Sequence, residues 1–151
     1  MTNWIKAANP LATTVGVDEA RAAARMSSVA LWLTAAKDVV LLVALLGSIP
    51  QASAATTSTG SNVATMTLAI LGVSALVQIA AGLFQWVRPG TMIPIIAGML
   101  TAYALYEAGM KMAGGASALA VISVVVMVLA LILHIAGTRG AAALEKTQKP
   151  A

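Results

Sequence analysis

The run "VATMTLAILGVSALVQIAAGLFQWV", residues Val63–Val87, decides the fold class of this chain. It carries no formally charged side chain, and it is longer than the roughly 20 apolar residues that a helix needs to cross a bilayer. It also lacks the alternation of apolar and polar residues that marks the wall of a membrane β-barrel. The turn "RPG" at Arg88–Gly90 follows, where proline cannot continue a helix. The run therefore predicts a transmembrane helix.

The composition of the whole chain agrees with a membrane protein. Of its 151 residues, 60% are hydrophobic and only 9% are charged, whereas soluble domains average about 25% charged residues. Lipid is therefore the expected solvent for most of the surface, and the bilayer is the first expected partner. The chain has no cysteine, which excludes disulfides and thiolate metal sites. The nine basic residues are scattered singly, which argues against nucleic-acid binding.

Three further apolar runs complete an all-α prediction, an integral membrane four-helix transmembrane bundle. We expect spans at residues 28–49, 63–87, 92–112 and 116–138, within one membrane domain that covers residues 1–151. Residues 1–26 form a short N-terminal segment with a helical, amphipathic character. Arg139 and Gly140 resemble a basic last turn followed by a helix C-cap, so residues 139–151 are predicted to be a tail.

The distribution of Lys and Arg predicts the orientation. Positive charges precede the first span, lie between the second and third spans, and follow the fourth, while the loop "PQASAATTSTGSN" has no charge. Because such charges are retained in the cytoplasm, both termini are expected there, in a plasma (inner) membrane. Trp86 beside Arg88 fits an aromatic anchor at the same interface.

Lys37 and Asp38 interrupt the first apolar run and leave two interpretations open. The run is either a retained spanning helix or the hydrophobic region of a signal sequence that is cleaved after Ala54, where "ASA" resembles a cleavage site. Cleavage there would remove about a third of the chain, and usual signals take 15–30 residues. We therefore favour the retained helix.

In a retained helix, Lys37 and Asp38 are expected to belong to a polar layer shared between helices. Adjacent residues point about 100° apart, so the two side chains are not expected to neutralise each other. At a rise of 1.5 Å per residue, Gln78 and Tyr103 fall about as deep in the membrane as Lys37 and Asp38. They are therefore the predicted hydrogen-bonding partners.

Three other polar residues are candidates near the ends of the spans. Glu107 and Lys111 are spaced i, i+4 and are predicted to form an ion pair at the outer interface. His134 is the single histidine; we expect it at the inner interface, and it is the candidate proton-titrating residue. The sequence offers no nucleophile with a base in reach, so no catalytic, metal or cofactor-binding residues are predicted.

Small residues are expected to let the helices approach each other closely. Gly72, Ser74 and Ala75 form one such strip, and Gly98 with Ala102 forms a second. Gln85, near an interface, is expected to have no special role.

These features predict a small non-catalytic polytopic membrane protein that is a structural or assembly subunit of a larger membrane complex or a homo-oligomer. Its partners would be itself or other membrane proteins, with no small-molecule substrate indicated. One alternative is a small ion, proton or solute conduit that uses intramembrane polar residues. A second alternative is a pilin-like or secretion-channel component processed after Ala54.

Overall fold

A computed structural model describes residues 3–52, 58–112, 115 and 117–148, without the side chains of residues 48–52, 58–62, 111 and 148. Every regular element in these ranges is a helix. In chain order these are α1 (Trp4–Ala8), α2 (Val17–Ala52), α3 (Ser58–Val87), α4 (Met92–Met112) and α5 (Ala118–Gln148). The last four are long and apolar enough to cross a membrane. The all-α prediction of a four-helix membrane bundle is confirmed.

The helix bounds differ from the predicted spans mainly at the chain ends. Helix α4 begins and ends where the sequence predicts, at Met92 and Met112. Helix α2 begins at Val17, well before residue 28, with Asp18 and Glu19 in its first turn, where the helix dipole favours acidic side chains. The predicted helix end near Gly140 is wrong, because α5 continues to Gln148.

The N-terminal segment is held against one end of the bundle. Asn3 caps α1 by accepting hydrogen bonds from two backbone N–H groups of its first turn. Lys6 then pairs with Glu19 of α2 at 2.8 Å, and Arg139 of α5 donates to the carbonyl oxygen of Asn9 at 2.6 Å. We call this end of the bundle, which holds α1 and the last turns of α5, the terminal end.

The four long helices pack unequally. Helix α2 packs closely against both α5 and α3, and α4 packs against α5. Helices α3 and α4 are consecutive and joined by a short turn, yet in the described part of the chain they hardly touch each other. The bundle is therefore open along the side between α3 and α4.

Two glycines of α5 let it approach the backbone of α2. A Cβ atom added at Gly137 would lie 2.6 Å from the Cβ of Ser27, and one at Gly140 would lie 2.6 Å from the carbonyl carbon of Ala23. Real Cβ atoms do not approach other atoms so closely. This contact explains why Gly140 lies inside a helix: the glycine serves packing between helices, and not termination of one.

The outer surface of the bundle is apolar. Large side chains such as Leu76, Met99 and Ile122 are exposed on α3, α4 and α5, and most residues of each span lie at the surface. In water such a surface would drive aggregation, but in a bilayer it faces acyl chains.

Gln85 fixes the turn between α3 and α4. Its side chain is fully buried; its Nε2 donates to the carbonyl oxygen of Gly90 at 3.0 Å and of Ala24 at 3.4 Å, and its Oε1 accepts from the Gly90 N–H at 3.3 Å. The turn is thereby tied both to itself and to α2. The expectation that Gln85 has no special role is wrong.

We predict that Gly140→Ala destabilises the bundle by about 1–3 kcal/mol, because the added methyl group overpacks the contact with α2. Unfolding by a titration of sodium dodecyl sulfate into mild detergent micelles, followed by tryptophan fluorescence, would measure the change. Gly109→Ala is the matched control, since a Cβ atom there meets nothing within 4 Å. Equal stability of the two variants would contradict the packing role of Gly140.

Candidate functional site

A cleft of about 490 Å³ lies between the four long helices, at the open side between α3 and α4. Its walls include apolar side chains such as Leu31, Leu71 and Leu100. Eight polar side chains also line it, and they come from all four helices. They are Thr34, Lys37, Asp38, Ser74, Gln78, Thr101, Glu107 and His134. Polar groups converging in a largely apolar pocket between helices are typical of a binding site.

The centre of the cleft is a hydrogen-bonded cluster around Asp38, which we call the Asp38 cluster (Lys37, Asp38, Ser74 and Gln78). Lys37 Nζ lies 2.6 Å from Asp38 Oδ1. Asp38 Oδ2 accepts from Ser74 Oγ at 2.9 Å and from Gln78 Nε2 at 2.8 Å. Gln78 Nε2 also lies 2.8 Å from Ser74 Oγ. Both carboxylate oxygens therefore have partners, and the cluster is electrically neutral.

The direct pairing of Lys37 with Asp38 corrects the sequence-based expectation. The 100° between adjacent residues describes the direction of their Cβ atoms, but the flexible four-carbon stem of lysine bends its ammonium group back to its neighbour. The pair is well covered, with side-chain exposures of 17% for Lys37 and 6% for Asp38. A covered pair in a membrane is costly unless it is hydrogen-bonded, and Ser74 and Gln78 supply those bonds.

The structure brings Gln78 to Asp38, but it does not bring Tyr103 there. Tyr103 is 62% exposed, and its hydroxyl donates to Glu107 at 3.2 Å along the same helix. The α4 residue that lines the cleft at this level is Thr101, whose own hydroxyl donates to the carbonyl oxygen of Ala97. Residues two apart on a helix lie on nearly opposite faces. The prediction from depth alone therefore selected Tyr103, whereas Thr101 is the residue that faces the cleft.

His134 closes the terminal end of the cleft. It is 1% exposed, so the expectation of an interfacial ring is wrong. Its Nδ1 lies 2.8 Å from Ser27 Oγ, and its Nε2 has no partner among the described residues. Gly98 of α4 packs on it, because a Cβ atom added at that glycine would lie 3.4 Å from the His134 Cβ. The histidine thus lies at a junction of α2, α4 and α5.

The hydrogen bond between Ser27 and His134 has the length of a nucleophile–base pair, but its surroundings leave no room for a substrate. Ser27 is fully buried, does not line the cleft, and packs against Gly137 at the closest part of the α2–α5 contact. The geometry accounts for the pair as a packing contact that satisfies two buried polar groups.

Glu107 lies toward the opposite end of the cleft from His134. It is exposed and accepts the hydrogen bond from Tyr103. Lys111 lies in the last turn of α4, and its side chain is outside the described part of the chain, so the predicted pair with Glu107 stays a prediction.

Ser74 and Thr34 also belong to the site, although the sequence did not single them out for it. Ser74 was expected to be a small packing residue, yet it donates to Asp38. Thr34, one helical turn from Asp38, donates to carbonyl oxygens of its own helix and lines the cleft. Both were detectable in principle, since Thr34 and Ser74 each lie four residues from a polar member of the cleft and thus on the same helix face.

Among the residues that the structure describes, no group of three histidine, cysteine or acidic side chains is arranged to hold a metal ion. No protein-family model, curated protein or solved structure matches this chain. The four apolar helices and the cleft between them define the class of this chain as a polytopic helical membrane protein with a polar intramembrane cleft.

We predict that Lys37→Leu alone destabilises the protein by about 3 kcal/mol, because it leaves the Asp38 carboxylate buried without its counter-charge. The double variant Lys37→Leu/Asp38→Leu is expected to lose less stability than the single one, since Gln78 and Ser74 still bond each other. The same detergent titration measures both. A double variant less stable than Lys37→Leu would contradict this account of the pair.

Proposed function

We propose that the protein is a small non-catalytic subunit of a membrane assembly, and that its cleft between α3 and α4 receives a transmembrane helix of a partner. The observation that carries this proposal is the open side of the bundle beside the Asp38 cluster. All four long helices line the cleft around the cluster, but α3 and α4 do not close over it.

The chemistry of the cleft indicates what the partner helix carries. Gln78 Oε1 is a buried acceptor without a partner in the described structure. Polar side chains bond across helices in membranes, because lipid offers no alternative partner. We therefore propose a helix with a serine, threonine, asparagine or glutamine donor at the level of Gln78. Its apolar residues would contact Ile70 and Leu100, which flank the cleft on α3 and α4.

A non-catalytic role agrees with the surroundings of Ser27 and Ser74, whose hydroxyl groups contact another polar side chain in the described part of the chain. Ser27 is buried in a contact between helices. Ser74 donates a hydrogen bond to the Asp38 carboxylate, which Lys37 already neutralises. Neither hydroxyl is poised as a nucleophile beside an accessible base.

We predict that Ser74→Leu/Gln78→Leu disrupts the assembly at least tenfold, because both hydrogen-bonding groups on the α3 side of the cleft are lost. Val73→Leu/Val77→Leu is the matched control: it changes the adjacent positions of the same helix, which are exposed and do not line the cleft. Native mass spectrometry of protein extracted from its own membrane in mild detergent would give the mass and stoichiometry of each complex.

A single complex of defined stoichiometry, present in the control and lost in the Ser74/Gln78 variant, is the expected result. A complex made of this chain alone would identify the partner helix as one from a second copy. A wild-type protein that is purely monomeric, or a complex unaffected by the Ser74/Gln78 variant, would contradict the proposal. Circular dichroism checks that both variants keep their helices.

A conduit for protons or small ions is the second candidate, and one observation favours it. Polar side chains line the cleft at successive depths, from His134 through Thr101 and Asp38 to Glu107. The terminal end of this route is blocked where Gly137 packs on Ser27, so transport would require α2 and α5 to separate.

For the conduit we expect wild-type protein in proteoliposomes to conduct protons or ions under an applied potential. Asp38→Asn is expected to reduce this flux severely, because it removes the charge at the centre of the cleft. Glu145→Gln, which lies outside the cleft, is the matched control. Absence of flux from the wild-type protein across several ions would eliminate this candidate.

We also propose a plasma (inner) membrane location with both termini in the cytoplasm. Seven of the nine Lys and Arg residues belong to segments at the terminal end in the four-span topology. Reporter fusions after Arg88 and at the C-terminus are expected to indicate cytoplasm, and a fusion at Thr57 the far side. A cytoplasmic signal at Thr57 would contradict this orientation.

Processing after Ala54 is a weaker alternative. That position lies outside the described residues, but cleavage there would remove α2, against which α3 and α5 both pack. A pilin-like component without α2 would lose the Asp38 cluster and the glycine contact together.

A further inference from the structure

A second recess lies at the terminal end of the bundle, away from the polar cleft. It has a volume of about 460 Å³ and is lined by Arg21, Arg25 and Arg88, together with Val87, Pro89 and Leu144. We call it the arginine recess. Three guanidinium groups around one cavity concentrate positive charge at this end of the bundle.

None of these three arginines forms an ion pair within the described structure. The described ion pairs are Lys6 with Glu19 and Lys37 with Asp38. Two acidic residues lie in the same region but do not line the recess: Glu145, next to Leu144, accepts hydrogen bonds from Thr91, and Asp18 lines a neighbouring recess with Arg21 and Arg25. The recess therefore keeps an unbalanced positive charge.

Tryptophans hold the recess in place. The guanidinium of Arg25 lies 4.8 Å from the ring centroid of Trp86, and its Nε donates to the Trp86 carbonyl oxygen at 3.3 Å. Trp86 in turn stacks on Trp4 of α1 at a centroid distance of 6.4 Å and contacts Trp32 at 5.4 Å. Such rings settle at the boundary between lipid tails and headgroups. Arg25 is thus oriented by packing and is not a freely moving surface side chain.

The depth of the recess matches the phosphate level of a bilayer. Ser74 lies near the middle of the Val63–Val87 span and is bonded to Asp38, so both residues mark the membrane centre. Counting along α3 and α2 at 1.5 Å per residue places Arg88 and Arg25 each roughly 20 Å from that centre. Half of a bilayer with its headgroups is about 20–22 Å thick.

We propose that the arginine recess binds the phosphate of an anionic phospholipid headgroup. Arginine presents a planar array of N–H donors that matches a phosphate, and Arg21 and Arg88 have these donors free in the described structure. The exposed apolar side chain of Val87 adjoins the recess, where the acyl chains of the same lipid would lie. This inference does not depend on what occupies the polar cleft.

The test compares lipids bound to the full chain by native mass spectrometry in neutral detergent. We expect phosphatidylglycerol to be retained in preference to phosphatidylcholine. Arg21→Gln/Arg88→Gln is expected to weaken that preference roughly 25-fold, at about fivefold for each arginine near an anionic surface. Arg25 is left unchanged because of its contact with Trp86.

Two further variants separate the recess from general charge. Lys146→Gln removes a positive charge at the terminal end of the bundle from a residue that does not line the recess, and it should keep the preference. Arg21→Lys/Arg88→Lys keeps the charge and should retain most of the preference for phosphatidylglycerol. Equal preference in the wild-type protein and Arg21→Gln/Arg88→Gln, or an equal loss in the lysine control, would overturn the proposal. Inorganic phosphate alone is the last arm: if it raises the unfolding temperature as much as the lipid does, the site binds free phosphate and the lipid assignment is wrong.

Discussion

The close contact between α2 and α5 is the constraint on which the rest of this structure depends. Lipid gives no hydrophobic force that drives one helix onto another, so helices in a membrane are held by dispersion contacts and hydrogen bonds that require near approach. Gly137 and Gly140 allow that approach, since neither position has space for a Cβ atom against α2. Ser27 and His134 add a buried hydrogen bond one turn away. This contact sets α2 and α5 as the central pair.

The other two long helices are positioned by this pair and by little else. Helix α3 packs on α2 and α4 packs on α5, which places the two helices side by side without bringing them together. Asp38 of α2 then lies at the gap between α3 and α4. The hydrogen bonds that it accepts there come from Ser74 and Gln78, both on α3. The open polar cleft is thus a geometric result of which helices carry the close contacts. Replacing its ion pair by apolar residues would cost the fold little, which points to a reason other than stability for keeping it.

The sequence was sufficient for the number and type of helices and for the level of the polar residues, but not for their direction around each helix. Length and hydropathy are properties of one segment, and depth follows from counting, so Gln78 was placed beside Asp38 correctly. Tyr103 lies at a similar depth but on an exposed face of α4. Which face of α4 is exposed depends on the helix that packs against it. The prediction that a helix ends at Gly140 was wrong for a related reason. In a single sequence, a glycine that ends a helix cannot be told from one that lets two helices touch. Gln85 could not be understood without Ala24 of a distant helix.

The hydrogen bonds of Gln85 make the α3–α4 turn a fixed point about which α3 and α4 could rotate. The turn is anchored to α2, while the far ends of α3 and α4 are not packed on each other. A rigid helix that swings about a fixed point moves in proportion to its distance from that point. At 1.5 Å per residue, a swing of roughly 10° would shift Gln78 by only about 2 Å but Val63 by about 6 Å. Hydrogen bonds of 2.8 and 2.9 Å do not survive a shift of about 2 Å, so the bonds from Gln78 and Ser74 to Asp38 oppose this swing. The mouth of the cleft is therefore mechanically coupled to its charged centre: a guest that spreads the far ends of α3 and α4 also loosens the Asp38 cluster.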